Sequence, residues 1–404
     1  MANIFLLDID GVLVKPGGYR TALHRTIAFF LEQLGLPDHF NLTEEEIGIF
    51  EANGITSEWD MIPLTYATIF ETALSTQNIH LPSLQHAIEW FRDCSPLHDR
   101  PAYTAHIPQW LKWGTAGLPL ADSIYNRFRE NLSHHPYPNL AAQPFAGEIL
   151  SNTRDFSKNP FSRLFQNHVL GETTFKQIYP GLPAVAVEST LEKYDQPNLP
   201  AELQIELRNH LQNRRIQAAA MTLRPNRLQG VSVNGNHYRA GFSPEAEIAL
   251  RMTGLDGIAL AGYGTLLWAC QQYHLAIDQV LKPSEFHALT AIALAFNDLP
   301  EAVEFCMSLY QGIPFQEQVK STAHLARYLP NEPLHIHIFE DSPNGIRSVL
   351  RASQILENAG WVVTCYLWGI TTHPHKKKAL EESGATVFSS ASDALRSVLK
   401  MINN

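Results

Sequence analysis

The apolar positions of this chain change period along its length, and the changes divide it into two kinds of region. Ile4-Phe5-Leu6-Leu7 is a short continuous apolar run, the pattern of a strand buried on both faces. From about residue 16 to 204 the pattern becomes helical. Amphipathic stretches run over Tyr19 to Leu34, Ile62 to Leu74, Leu84 to Phe91 and Ile124 to Leu132, among many aromatic, Pro and His residues and few β-type runs. The pattern then changes again. Leu203 to Leu211 predicts a helix, and Ile216 to Met221 an apolar strand ending at Thr222. Further strands are predicted at Ile258 to Ala261, Leu334 to Phe339, Trp361 to Leu367 and Ala385 to Phe388, with helices over Gly345 to Ala359 and Lys376 to Ser383. Strands alternating with helices predict a parallel sheet covered on both faces. The expectation is an α/β fold: a Rossmann-like parallel-sheet core from residues 1–15 and 205–404, with 16–204 a large, mainly helical insertion. Residues from about Asn297 to Pro330 add helices between two sheet elements, and neither internal repeats nor low-complexity tracts are evident.

Composition narrows the functional class. At 404 residues the chain exceeds one ordinary domain, and 45% hydrophobic with 17% charged residues suits a globular protein with a substantial core. A net charge of −10 argues against a nucleic-acid scaffold, which usually presents a basic surface. It does not exclude a small anionic substrate, because a lysine and a metal can reverse the sign inside one pocket. The 4 cysteines form no CxxC pair, so neither a zinc site nor a disulfide framework is expected, and a reducing compartment is. The first residues lack the basic start of a signal peptide, and no run approaches the roughly 20 apolar residues of a membrane span. A cytoplasmic protein is the expectation.

The chemistry concentrates at strand ends. In Phe5-Leu6-Leu7-Asp8-Ile9-Asp10-Gly11 two carboxylates lie two residues apart, so an extended backbone projects both to one face at the strand's C-terminal end. Ligands of open α/β sheets bind at that edge. Two such carboxylates repel each other unless a cation or a shared proton intervenes, and a hard divalent metal is the natural partner. The bland alternative is a pair of solubilising acids before a glycine turn. Thr222 follows the second apolar strand, where a hydroxyl can hold a phosphoryl oxygen, although Thr at a strand end is common in any fold. Lys282, in Val280-Leu281-Lys282-Pro283-Ser284, precedes a helix and could neutralise carboxylates and a transferring group; most lysines in such a place are simply exposed. Ile338-Phe339-Glu340-Asp341-Ser342-Pro343-Asn344-Gly345 ends another strand in acids. Asp341 could complete a metal's ligand set with Glu340 close by, while Ser342 or Asn344 suits helix capping.

Taken together, Asp8-x-Asp10-Gly11-Val12, Thr222, Lys282-Pro283 and Glu340-Asp341-Ser342-x-x-Gly345 resemble the four ordered motifs of the haloacid-dehalogenase-like (HAD) hydrolases. The resemblance covers the first 15 residues and roughly 205 to 404; the insertion matches only in position. Lys320, also ahead of a helical run, has the more usual spacing to Asp341 but lacks the Lys-Pro context that favours Lys282. The resemblance implies a Mg²⁺-dependent phosphatase acting on a small phosphorylated metabolite, with no nucleic-acid or membrane partner. Asp8 would be the nucleophile, forming an aspartyl-phosphate, and Asp10 the acid and then the base. Thr222 and Lys282 would hold phosphoryl charge. Asp8, Asp10 through its backbone carbonyl, and Asp341 would bind the metal, with Glu340 beside them. An acid at position 10 also favours a phosphoryl substrate over a haloacid, since a halide leaves without a proton. The inserted region would cap the site. A phosphomutase using the same nucleophile, and a catalytically silent binding protein of the same fold, stand as alternatives.

Other patterns carry less. No Walker loop, HExxH or GxSxG occurs, and Gly262-Tyr263-Gly264-Thr265 lacks the third glycine of a dinucleotide loop. His335 and His337 alternate onto one strand face and suit packing. The run His373 to Lys378 suits a solvated helix start. Asn53 to Asp60 mixes Gly, polar and aromatic residues in the manner of a substrate loop or of a plain inter-helix loop.

Overall fold

A computed structural model describes residues 1–77, 79–128, 130, 135–228, 230–231, 238–310 and 325–403. The chain divides into two compact units, one of Met1–Pro16, Asp195–Gly235 and Gly241–Asn404, the other of Gly17–Tyr194 and Asn236–Ala240.

The first unit is built on strands β1 (Ala2–Leu7), β2 (Gln217–Met221), β3 (Ala259–Ala261), β4 (Leu334–Glu340), β5 (Val363–Ile370) and β6 (Thr386–Phe388). They form one sheet of spatial order β3-β2-β1-β4-β5-β6, with every neighbouring pair parallel. β1 is paired on both sides, Ile4 through Leu7 facing Gln217 through Ala220, and Ala2 through Leu7 facing Leu334 through Phe339. Its unbroken apolar run follows from that position. Ile4 and Leu6 enter an apolar layer with Met221, Ile336, Ile338, Phe286 and Val349; Phe5 and Leu7 enter the opposite layer with Ala220, Phe339, Leu207 and Leu395. Each fully buried side chain of this kind contributes about 1.5–3 kcal/mol of transfer free energy.

The helices Glu285–Leu294 and Pro343–Asn358 lie in the first layer and Ala201–Gln212 and Ala391–Asn403 in the second. From β1 the chain steps outward through β2 and β3, then returns to the other side for β4, β5 and β6. The strand order therefore reverses between β1 and β4, and the crevice beyond their C-terminal ends is where open α/β sheets take ligands.

The second unit is helical, its longer helices being Gly18–Leu34, Glu58–Leu74, Leu84–Cys94 and Pro160–Ile178. Glu58–Leu74 buries residues all around its circumference, including Ile62, Leu64, Tyr66, Ile69 and Phe70, as a central helix does. Local signals set the ends: Asn159 caps the Pro160 helix by accepting the Ser162 N–H at 3.0 Å, with proline in the first turn. The Asn53 to Asp60 segment is largely structural. Glu58 to Asp60 open the central helix, and the buried Asp60 accepts from Arg154 at 2.7 Å and from the Ala121 N–H at 3.1 Å. The unit also takes in Asn236–Ala240, which the sequence placed with the α/β region. Phe156 donates to the Tyr238 carbonyl at 2.9 Å and Ala240 to the Arg154 carbonyl at 2.9 Å, backbone pairings that no apolar period announces. The chain returns to the α/β unit at Asp195, not residue 205, because Val14–Lys15 pairs antiparallel with Gln196–Pro197.

Of the stretch Ile124 to Leu132 the helix Leu120–Arg127 is described, and of Asn297 to Pro330 the helix Leu299–Tyr310. Among the described residues no helix is long and apolar enough to cross a membrane.

Candidate active site

Asp8 is the residue after β1, and its N–H still donates to the Phe339 carbonyl of β4 at 3.0 Å. The chain then turns sharply, Gly11 donating to the Val14 carbonyl at 2.8 Å and Val14 to that of Ile9 at 2.8 Å. Gly11 has φ +80°, and a Cβ there would lie 3.0 Å from the Asp341 side chain, so both backbone and space call for glycine. On β4 the strand ends in Glu340 and Asp341 and the helix Pro343–Asn358 begins. A Cβ on Gly345 would fall 1.8 Å from Glu340 Oε2, so this close approach admits no side chain.

Lys282 enters from the loop before the helix Glu285–Leu294. That loop is tied to the Pro343–Asn358 helix, Ser348 donating to the Ser284 carbonyl at 2.5 Å and Arg351 to that of Pro283 at 3.2 Å. Its Nζ donates to Asp8 Oδ1 at 2.9 Å and Glu340 Oε2 at 2.7 Å, with all three side chains 9% exposed or less. Burial, then Glu340, raises the Asp8 carboxyl well above the usual carboxylate range, against the pull of Lys282. Burial likewise raises Glu340, with Lys282 opposing. Burial alone would lower the Lys282 ammonium, but Asp8 and Glu340 outweigh it and hold it above its ordinary value.

Asp8, Glu340 and Asp341 each offer a carboxylate oxygen within 4.8 Å of the others. An all-oxygen set with two buried acids, and among the described residues one buried ammonium between them, suits a hard divalent cation of the Mg²⁺ type. Ser342 begins the helix but makes no side-chain cap to it. Its N–H and hydroxyl donate instead to Glu340 Oε1 at 3.2 and 3.0 Å, which fixes the acid's rotamer. The run His373 to Lys378 is exposed, as a solvated helix start predicts, and from it the Lys376 Nζ donates to Asp341 Oδ2 at 2.7 Å.

The Asp10 carboxylate lies outside this acidic set and turns to a different partner, which does not bear on the metal contact expected of its backbone carbonyl. Arg224 Nε donates to Asp10 Oδ2 at 2.9 Å and Nη2 to Oδ1 at 2.6 Å. Nη2 also donates to Asp195 Oδ2 at 2.8 Å, and the Arg224 and Asp195 side chains are 1% and 0% exposed. Thr222, buried and one residue beyond β2, stands at the same sheet edge; its Oγ1 accepts the Arg224 N–H at 3.2 Å. The sheet thus gathers Asp8, Lys282, Glu340 and Asp341 directly, with Thr222 at the neighbouring strand end and Asp10 held to one side. Lys320 lies outside the described residues. Arg224, Asp195, Lys376 and the second role of Ser342 escaped sequence reasoning. Only the place of Arg224, two residues past a strand-end threonine, hinted at one of them.

His337 is buried, its ring 4.5 Å from that of Tyr366 and nearly parallel to it, as packing predicts, and His335 is half-buried beside the same tyrosine. His287, on the helix after Lys282, is fully buried and donates from Nε2 to the Ala261 carbonyl at 2.9 Å. Burial, then the Lys282 charge, pushes its imidazole down to about 3. Below the unfolded value of about 6.5 the unfolded chain takes up a proton that the folded state refuses, so His287 withdraws up to about 1.4 kcal/mol of stability per pH unit as pH falls towards 3. His287→Gln should flatten the melting-temperature decline between about pH 6.5 and pH 4. Glu247, pushed up to about 7 by its burial, works in the opposite direction and is common to both proteins. An identical slope in the variant would refute the assignment.

No family model matches the chain, and no curated protein or solved structure matches it either.

Proposed function

We propose that the protein is a Mg²⁺-dependent phosphatase that hydrolyses a small phosphomonoester through an aspartyl-phosphate on Asp8. The observation that carries this reading is the convergence of Asp8 with Lys282, Glu340 and Asp341 at the strand-order reversal. Asp8 Oδ attacks phosphorus, and the ester P–O bond breaks with its electron pair going to the leaving oxygen. Asp10 gives that oxygen its proton, then takes one from the water that attacks the phosphoryl group, and the Asp8–phosphorus bond breaks to release phosphate. Lys282 and Thr222 face the phosphoryl oxygens as their charge develops. Asp8, Glu340 and Asp341 would hold the Mg²⁺, which when bound supplies further charge neutralisation to the phosphoryl group. The helical unit's part as a cap that provides selectivity belongs to the same proposal and rests on its place in the sequence after the first motif.

Phosphate release from a panel of phosphorylated metabolites, with and without Mg²⁺, tests the reading. At least one ester should be hydrolysed only with the metal, and borohydride added during turnover should convert Asp8 to homoserine, which mass spectrometry detects. In parallel, Mg²⁺ should raise the melting temperature of the wild type and not of Asp341→Asn. Isomerised sugar phosphate without released phosphate would point to a mutase instead, and metal binding without turnover on any ester would sink the enzymatic reading.

A further inference from the structure

Asp10 is assigned two proton transfers, yet both of its oxygens accept from one guanidinium. The ion pair is unusual in its surroundings: Arg224 is 1% exposed and backed by the wholly buried Asp195, whereas the Asp10 side chain is 38% exposed. The cation is therefore enclosed by the protein, and the carboxylate is the partner that reaches solvent. Asp195 owes its place to the returning chain. Gln196–Pro197 pairs with Val14–Lys15, and Asn198 Nδ2 donates to the carbonyls of Gly11 and Val12 at 3.0 and 3.1 Å. The loop that bears Asp10 and the residue that anchors its partner are thereby held in one register. Thr222 Oγ1, accepting from the Arg224 N–H, adds a further tie to the end of β2.

We infer that Arg224, anchored by Asp195, is a positioning residue for Asp10. It holds the carboxylate beside the Asp8–Glu340–Asp341 cluster and out of it, in a rotamer from which one oxygen leaves the fork, takes a proton from solvent and turns to the leaving group while the other keeps its guanidinium contact. Without the fork, Asp10 is free to leave that rotamer, and a misplacement of this kind typically lowers the rate about 10²-fold. The inference rests on the phosphatase reading of the site, and its test separates the two.

The readout is the leaving group. An alkyl phosphate needs a proton from Asp10 to depart, and 2,4-dinitrophenyl phosphate does not. kcat/KM, which reports steps through the first irreversible one, is to be measured for both esters in Arg224→Lys. Arg224→Lys keeps a positive charge beside the buried Asp195 but loses the two-point fork, and Asp195→Asn is measured alongside as a variant that loosens the fork from behind, with thermal melts of each. The alkyl ester should lose about 10²-fold and the aryl ester no more than a few fold. Selective loss in either folded variant supports the assignment. Equal loss on both esters in folded variants would overturn it, as structural damage acts on both alike. Wild-type protein that cleaves neither ester with Mg²⁺ would defeat the phosphatase reading itself and the inference with it.

Discussion

Asp8→Asn is expected to abolish phosphate release while leaving the fold intact or firmer. Removal of a covalent nucleophile typically lowers turnover by about 10⁴–10⁶-fold. The amide keeps the shape of the carboxylate but cannot form the acyl phosphate. Stability should move the other way. Burial and the neighbouring Glu340 already disfavour the charge on Asp8, and Lys282 retains Glu340 as a partner when that charge is gone. A melting temperature equal to or above wild type, with no turnover, would place the strain of the site on the residue that does its chemistry. Undiminished turnover would remove Asp8 from the nucleophile's role.

Lys282→Met carries the second large effect, and here activity and stability should fall together. In rate, losing a preorganised cation beside the phosphoryl group typically means about 10²–10³-fold. In stability, two acids 9% exposed or less are left without their ammonium, a break that typically costs about 3–5 kcal/mol near neutral pH. The pH dependence has a definite sign. Asp8 and Glu340 have folded-state values above their ordinary ones, so the folded state binds protons more tightly than the unfolded chain. Stability is then lost as pH rises through that interval and regained on acidification. Urea melts of the variant should therefore recover towards wild type as the pH is lowered from neutrality. An unchanged midpoint at neutral pH would mean that Lys282 does not compensate these acids.

How much of this was legible in the sequence depends on what each residue answers to. The run Ile4 to Leu7 reads as a central strand because both faces are buried, and burial leaves a composition signal. The acids at the ends of β1 and β4 are legible for a similar reason: carboxylates directly after an apolar strand have few purely structural uses. Arg224 gives no such signal. Its partners lie 29 and 214 residues away, and only the folded register of the returning chain shows that an arginine after Thr222 meets Asp10. Lys376 is hidden differently. It stands beside Lys377 and Lys378 with the same propensity, and only helix phase selects the one whose ammonium reaches Asp341. Ser342 was obscured by its own versatility, since the residue type that best caps a helix is equally suited to bonding a neighbouring acid.

The central place of β1 also bears on how the protein is made. Its partners in register begin at Gln217 on one side and Leu334 on the other, so the strand emerges from the ribosome long before either is synthesised. The intervening helices pack on one another, Gly18–Leu34 on Pro160–Ile178 among them, and can form during that interval, as domains folding during translation do. The nascent chain must therefore keep Ile4-Phe5-Leu6-Leu7, an apolar segment without a sheet, away from other chains until β4 is extruded. Chaperone capture of this segment is expected to end when synthesis passes Glu340.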